Sequence, residues 1–294
     1  LFLSNLKDVS FECGNTFGLY GKEQLEYHTV DENTQVELLK LSHNNGDDIV
    51  EENLWLFSRT DEEKRTYCVG FFTDDKFNLV PKKKTAFCFF PTKEVTNLNF
   101  IIHAPFLLTD SREGIRAGES HNEAMIELLS ELSADALLHL KYVGKGKNIK
   151  IIDDTILDII PWNKSDFSAT DDMDRISFMP FYDAIKNLFE EEKIIPTQNG
   201  YAYANHAYWA FVPQISELFS TEQLVDIVED PEAQWAFTSL SRESEQRSTK
   251  AKSDYIDNIT CTFLDENIVI NGRQRSFNYG SDFVKVKGID KDFI

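Results

Sequence analysis

From Leu1 to Pro105 the apolar residues fall in runs of strand length, and from Glu119 onward they fall three and four residues apart. A hydrophobic period that switches once in this way builds a sheet first and a long amphipathic helix second. The first half is therefore expected to be an α+β or α/β sandwich. Short strands are expected at Leu25–Val30 and Gln35–Leu41, and aromatic-rich ones at Leu54–Phe57, Tyr67–Phe72 and Ala86–Phe90. Phe100–Ala104 is a further strand, which Pro105 ends. The polar clusters Asn44–Asp48, Asp61–Arg65 and Asp74–Lys76 separate these strands as turns. Along 119–141, Ala124, Leu128, Leu129, Leu132, Leu137 and Leu140 form an apolar stripe. Glu119, Glu123, Glu127 and Glu131 repeat every four residues on the other side as a solvated face.

Beyond that helix the pattern is more mixed. Gly144-Lys145-Gly146-Lys147 reads as a flexible basic turn, because its spacing is not that of a P-loop and no Ser or Thr follows. Residues 149–160 read as a short helix stopped by Pro161, 166–174 as an acidic loop, and 180–193 as a helix with Phe181, Ala184, Ile185, Leu188 and Phe189 on one face. A turn at Thr197–Gly200 and a strand at Tyr201–Ala204 lead to a helix at Ser220–Val228, capped by Ser220 or Thr221. Ser239–Ser253 has almost no aliphatic side chains and reads as a linker or mobile loop. Strand-like runs return at Thr260–Leu264 and Ile268–Ile270, with Asn271-Gly272 as a hairpin turn. The expected division is an α/β domain at 1–148, a mixed, mostly helical domain at 149–238, a linker at 239–253 and a short strand-rich piece at 254–294.

Charge narrows the function classes. The 294 residues carry 30 Lys and Arg against 50 Asp and Glu, a formal charge of −20. The excess is spread evenly: 17 basic and 24 acidic side chains in residues 1–150, 4 and 11 in 151–200, 9 and 15 in 201–294. No third of the chain is basic, so neither a broad nucleic-acid face nor binding to an anionic membrane surface is expected; both must neutralise phosphates. With 41% hydrophobic residues the chain has enough apolar material for packed cores. No apolar run reaches the roughly 18 residues of a membrane span, and no basic-then-apolar leader opens the chain. Cys13, Cys68, Cys88 and Cys261 are far apart, which fits reduced thiols, a cytoplasmic location and no structural zinc. The chain opens Leu1-Phe2-Leu3 with no Met, and is expected to begin inside a longer protein.

Most catalytic signatures are absent: there is no GxGxxG, GxxxxGK[ST], GxSxG or HExxH. Asp183 with Glu191-Glu192-Lys193 has the residue types of a metal-dependent nuclease. That chemistry needs its carboxylates on adjoining strands around a divalent cation, whereas this stretch has helical period. The six histidines show no ligand spacing. His103, set among apolar residues, reads as a hydrogen-bonded core residue, and His121 and Asn122 as residues that face a cleft.

One segment stands apart. Residues 87–118 read FCFFPTKEVTNLNFIIHAPFLLTDSREGIRAG. Asp110 and Glu113 have the spacing of a capping box, so a helical turn is expected to begin there. Arg112 would then lie in the first turn, a few tenths of a kcal/mol unfavourable against the helix dipole, with Arg116 four residues on and on the same side. Gly114 and Gly118 flank the pair and permit close approach. Two such guanidinium groups suit a phosphate, which they bind in forked, permanently charged pairs. The plainer alternative is that Arg112 pairs with Glu113 or Glu119.

Leu108-Thr109-Asp110-Ser111-Arg112-Glu113 resembles a stretch in the middle domain of the 90-kDa heat-shock chaperones. The ordered blocks Leu1-Phe2-Leu3-x-Asn5-Leu6-Lys7, Phe89-Phe90-Pro91-Thr92 and Phe100-x-x-His103-Ala104-Pro105-Phe106-x-Leu108-Thr109-x-Ser111-Arg112-Glu113 are similar to bacterial sacsin-like proteins that carry a heat-shock-90-type (GHKL superfamily) ATPase. The resemblance covers about residues 1–160 and is strongest at 86–116. It implies a middle-domain fold, with a phosphate-sensing loop at 105–118. Arg112 would reach the γ-phosphate of ATP, and Mg²⁺ with it, held by the protein's own separate N-terminal domain. Ser111 and Arg116 would lie at the same phosphate, Arg116 in the less defined role. A chaperone-like or phage-defence role, with a client or partner protein, would follow. The glutamate–Asn helix, the Asp-x-Gly-x-Gly turn and the glycine-rich lid of that nucleotide domain are not in these residues. The chain alone is thus expected to hold no cofactor and to hydrolyse no ATP. A non-catalytic protein-interaction module is the first alternative, and the metal-dependent nuclease the second.

Overall fold

The computed structural model of the chain describes residues 2, 6–13, 16–44, 46, 48–167, 175–210, 215–240, 245–263, 269–270 and 273–274. It is an α+β protein whose main feature is a large, mostly antiparallel sheet. Eight strands form it: β1 (Asp8–Cys13), β2 (Thr16–Thr29), β3 (Thr34–Asn44), β4 (Ile49–Thr60), β5 (Thr66–Thr73), β6 (Thr85–Cys88), β7 (Phe90–Val95) and β8 (Ile101–His103). Their order across the sheet is β1-β2-β3-β4-β5-β8-β6-β7, and β6 against β8 is its one parallel pairing.

The aromatic-rich runs do not alternate because the centre of the sheet is buried on both faces. On one face, Val36, Phe57, Val69 and Ile102 line up directly across four strands, beside the row Leu38, Trp55 and Phe71, and all are buried. Helix α1 (Ser120–Lys147) covers this side: His139 meets the Phe57 ring edge-on at 5.8 Å, and Asp135 binds Arg59 at 2.7 Å. On the other face Leu39, Leu54, Leu56, Cys68, Phe72 and Ile101 form a second cluster. Cys68 lies in it, and burial pushes its thiol up to about 11. All four cysteines are free, but only Cys68 is fully buried, and Cys13 is exposed.

The buried stripe of α1 is Met125, Ile126, Leu129, Leu132, Ala136, Leu137 and Leu140, with Ala124 left in solvent and Leu128 half-buried. The stripe is rotated from the expected one because Met125 and Ile126, not the first alanine, meet the sheet. Glu123, Glu127 and Glu131 are exposed, as a solvated face requires. Gly144-Lys145-Gly146-Lys147 is not a turn: it is the last turn of α1, and Asn148, left-handed at φ 55, closes it. A Cβ on Gly144 would lie 2.9 Å from the Ile149 carbonyl oxygen and 3.1 Å from the Ile151 nitrogen. The glycine is there because the returning chain crosses the helix at backbone distance.

The chain folds as two compact units, Leu1–Ile185 and Lys186–Ile294. The expected boundary after 148 lies inside the first. The reason is a set of contacts that ties 149–185 to the sheet: Asn99 donates to the Asp158 carbonyl at 2.7 Å, Asn97 to the Asp166 carbonyl at 2.8 Å, and Phe181 packs 6.0 Å from Phe100. Helices α2 (Ile156–Ile159) and α3 (Met179–Glu191) follow, while residues 168–174 of the expected acidic loop lie outside the described residues.

The second unit carries the hairpin of β9 (Ile195–Thr197) and β10 (Gly200–Ala202), then β11 (Ala207–Ala210), α4 (Ile215–Leu218), α5 (Thr221–Val228), β12 (Gln234–Trp235), α6 (Lys250–Asn258) and β13 (Cys261–Phe263). Strands β12 and β13 flank β11 in parallel, and Ser220 with Gln223 forms a complete capping box for α5. The described part of the expected linker is anchored. Arg247 stacks 3.8 Å over Trp209 and binds the Leu240 carbonyl, Ser253 and Asp257, and α6 starts at Lys250 behind the Thr249 cap. One buried cation–π contact outweighs a polar composition here. The pair β14 (Val269–Ile270) and β15 (Arg273–Gln274) is antiparallel, and Asn271-Gly272 lies outside the described residues. No helix among the described residues is long and apolar enough to cross a membrane.

Gly144→Ala is expected to destabilise the protein by about 1–2 kcal/mol, read from urea denaturation. The methyl would meet backbone atoms, which cannot move aside, and this exceeds the roughly 1 kcal/mol that alanine gains in a helix.

Candidate functional site

After β8 the chain passes Pro105, folds back on itself, and enters α1. Leu108 and Ile115 bridge as a short antiparallel pair, and the Thr109 N–H donates to the Gly114 carbonyl at 2.9 Å. The Thr109 hydroxyl accepts from the Gly114 N–H at 3.2 Å, and the Arg112 N–H donates to the Thr109 carbonyl at 2.8 Å. Residues 109–114 are therefore a tight turn at the tip of a hairpin-like loop, and the expected helical turn at Asp110–Glu113 is not formed. The first helical residue is Ser120, behind Glu119.

Tertiary partners explain the difference. The Lys93 N–H of β7 donates to the Glu113 carbonyl at 2.6 Å, and Glu94 accepts from the Ile115 N–H at 3.3 Å. Backbone groups that a helix would use internally are taken by the neighbouring strand. At the base of the loop Asn122, fully buried, accepts from the Leu107 N–H at 2.8 Å and donates to the carbonyls of Leu107 at 2.8 Å and Arg116 at 2.7 Å. His121 is half-buried. Its Nε2 donates to the Pro105 carbonyl at 2.9 Å, which leaves Nδ1 to accept from Arg65 at 3.3 Å.

The two arginines part company on this loop. Arg116 is 3.2 Å from Asp110 and 3.7 Å from Glu119, and Glu113 is held by Lys93 at 2.6 Å. Both acids once available to Arg112 are thus occupied. The Arg112 side chain is exposed and makes no hydrogen bond or ion pair with a described residue. Its backbone is left-handed, φ 58, a conformation that a non-glycine residue adopts at a cost of about 1 kcal/mol or more. Ser111 is also exposed, its hydroxyl 3.2 Å from that of Thr109.

Arg112 stands at the rim of a cleft of about 640 Å³, walled by Phe89, Phe90 and Pro91 on one side and Leu107, Leu108 and Thr109 on the other. Phe89 makes the one-residue reversal between the partners Cys88 and Phe90, at φ 61, and is 51% exposed; Phe90 is 65% exposed. Two left-handed non-glycine residues thus line one cleft. Cys88 lies in its wall, where burial pushes its thiol up and its Sγ donates to the Phe106 carbonyl at 3.5 Å, both of which favour the neutral thiol.

Behind Phe89 sits His103. It is in the core as expected, but its ring nitrogens find no hydrogen-bond partner among the described residues. The ring stacks on Phe2 at 4.2 Å and meets the edge of Phe89 at 5.3 Å. Burial holds its imidazole down to about 4, against a smaller opposing pull from its own backbone.

Among the described residues lining it, the cleft offers Arg112 as a permanent positive charge without an ion-pair partner, beside an apolar surface and an Asp110 already bound to Arg116. No group of three or more metal-ligating side chains occurs among the described residues. Asp183 and Glu191 are exposed on the single helix α3, not on adjoining strands. Glu94 and the role of Asn122 escape a sequence reading, because their partners are backbone atoms far along the chain. Comparison with family models, curated proteins and solved structures returns no match for this chain.

Asn122→Ala is expected to cost about 2–4 kcal/mol, since it strands the Leu107 N–H and the Arg116 carbonyl, and faster amide exchange at Leu107 would register it. His103 gives a pH signature. The folded imidazole stays neutral to about pH 4 while the unfolded one protonates near 6.5, so stability is full above 6.5 and falls as the pH drops toward 4. Urea titrations should show a loss on the order of 3 kcal/mol over that window, which His103→Leu abolishes.

Proposed function

We propose that this chain is the middle, or transducer, region of a sacsin-like ATPase with a heat-shock-90-type nucleotide domain. In this reading the 105–118 loop senses the nucleotide of that separate N-terminal domain. The observation that carries it is the state of Arg112: exposed, unpaired among the described residues, and held on a left-handed turn whose other charges are matched. Its guanidinium would meet the γ-phosphate of Mg²⁺-ATP when the domains close and offset the charge that develops on the transferred group. The Ser111 hydroxyl lies beside it. Arg116 would have to leave both Asp110 and Glu119 to reach a phosphate, so its place is to brace the turn. The sheet and α1, locked to the loop by Asn122, would carry closure toward a client or partner, in a cytoplasmic bacterial chaperone or phage-defence system.

A protein-interaction module is the second reading. The exposure of Phe89 and Phe90 beside the cleft favours it, since such a surface takes an apolar segment without any nucleotide.

In the polypeptide that joins this chain to its ATP-binding domain, Arg112→Ala is expected to lower ATPase turnover on the order of 10³-fold, with ATP affinity unchanged within about twofold. Arg116→Ala should cost far less. Turnover unaffected by Arg112→Ala would hand the loop to the interaction reading.

A further inference from the structure

The lining of the Arg112 cleft narrows what can occupy it. The hydroxyls in its walls are already engaged. That of Thr92 donates to the Ala86 carbonyl at 2.7 Å and accepts from the Glu94 N–H at 3.1 Å. That of Thr109 accepts from the Gly114 N–H at 3.2 Å. Of the two charged side chains in the lining, Asp110 is bound by Arg116, and Arg112 has no ion-pair partner among the described residues. What remains unmet is apolar surface at Phe89, Phe90 and Leu107, which are 51%, 65% and 43% exposed, and one permanent positive charge. An occupant complementary to both has an apolar body and one anionic end. A carboxylate suits a guanidinium, which takes its two oxygens in a forked pair.

The backbone of one wall distinguishes between kinds of apolar acid. The Arg116 N–H to Leu107 carbonyl bond and the Thr109 N–H to Gly114 carbonyl bond, both 2.9 Å, flank the Leu108–Ile115 bridge. In that antiparallel pattern the N–H and C=O of Leu108 itself point away from Ile115. No hydrogen bond with a described residue uses either group. Leu108 lines the cleft, so an extended peptide along this wall gains main-chain bonds that a hydrocarbon tail cannot make. At about 640 Å³ the cleft has the size of a small-ligand site, with room for a few side chains of an extended segment and too little for a folded domain.

We infer that the Arg112 cleft binds the carboxyl-terminal residues of an extended apolar peptide. The terminal carboxylate meets Arg112, the last side chains lie against Phe89 and Phe90, and Leu108 supplies main-chain bonds. The inference rests on the interaction reading of this cleft and adds the chemistry of the segment it takes.

The probe is a hexapeptide ending Val-Leu-Phe with a free carboxylate and fluorescein at its amino end. Titrated with the 294-residue chain, it is expected to show a saturable rise in anisotropy, with the carboxamide form binding at least about tenfold more weakly. Arg112→Ala should weaken the free acid by about tenfold and abolish its preference over the amide, whereas Phe90→Ser weakens both forms alike. Lys145→Ala, which removes the same charge from the last turn of α1, should change neither. These side chains are exposed, and an unaltered thermal midpoint verifies the fold. Equal binding of the amide, or a preference that survives Arg112→Ala, would overturn the inference and leave the interaction reading standing, because a peptide is still bound. No saturable change with either peptide would overturn both. Decanoate is the competitor: displacement of the peptide at a lower concentration than the unlabelled hexapeptide needs would also overturn the inference, by assigning the cleft to a lipid acid.

Discussion

The rest of this structure depends on the burial of β4 and β5 on both faces. Trp55 and Phe57 point to α1, Leu54 and Leu56 to the opposite cluster, and all four are at most 5% exposed. Side chains of this size each contribute roughly 1.5–3 kcal/mol on burial. The alternation of the pleat forces consecutive residues to opposite sides, so every residue of the run must be apolar. The cost falls on the flanking strands. On β1 and β2, Val9, Phe11 and Tyr20 are only about half covered by the described residues.

The loop before α1 shows how local preference yields to tertiary bonding. A capping box is worth on the order of 1 kcal/mol. Against it stand the strand-like bonds from Lys93 and Glu94 and the three hydrogen bonds of a buried asparagine, each net worth a comparable amount. Once the turn is formed, charge pairing follows from position. Asp110 and Glu119 bracket Arg116, Lys93 reaches Glu113, and Arg112 is left at the tip.

The strands and the long helix were legible in the sequence because period and burial agree there, as in Gln35–Leu41, Tyr67–Phe72 and the stretch from 120. Ser220 was legible because its cap is local. Where reading failed, a distant backbone or ring decided the outcome. Gly144 looks like a helix breaker until Ile149 and Ile151 return against it. Ser239–Ser253 looks like a linker until Trp209 meets Arg247. Arg112 was singled out for a helical display that does not exist, and the separation of its fate from that of Arg116 depends on Lys93, 19 residues earlier.

Net charge says little about such sites. At −20, the mean field repels anions, but over a Debye length of about 8 Å only near neighbours count. Around Arg112 the described neighbours have already spent their charge on Arg116 and Lys93. There internal pairing removes the acids and leaves the cation. An acidic protein can therefore present isolated cationic positions more selectively than a basic one, because its background excludes long polyanions while a single phosphate, meeting one neutralised neighbourhood, is admitted.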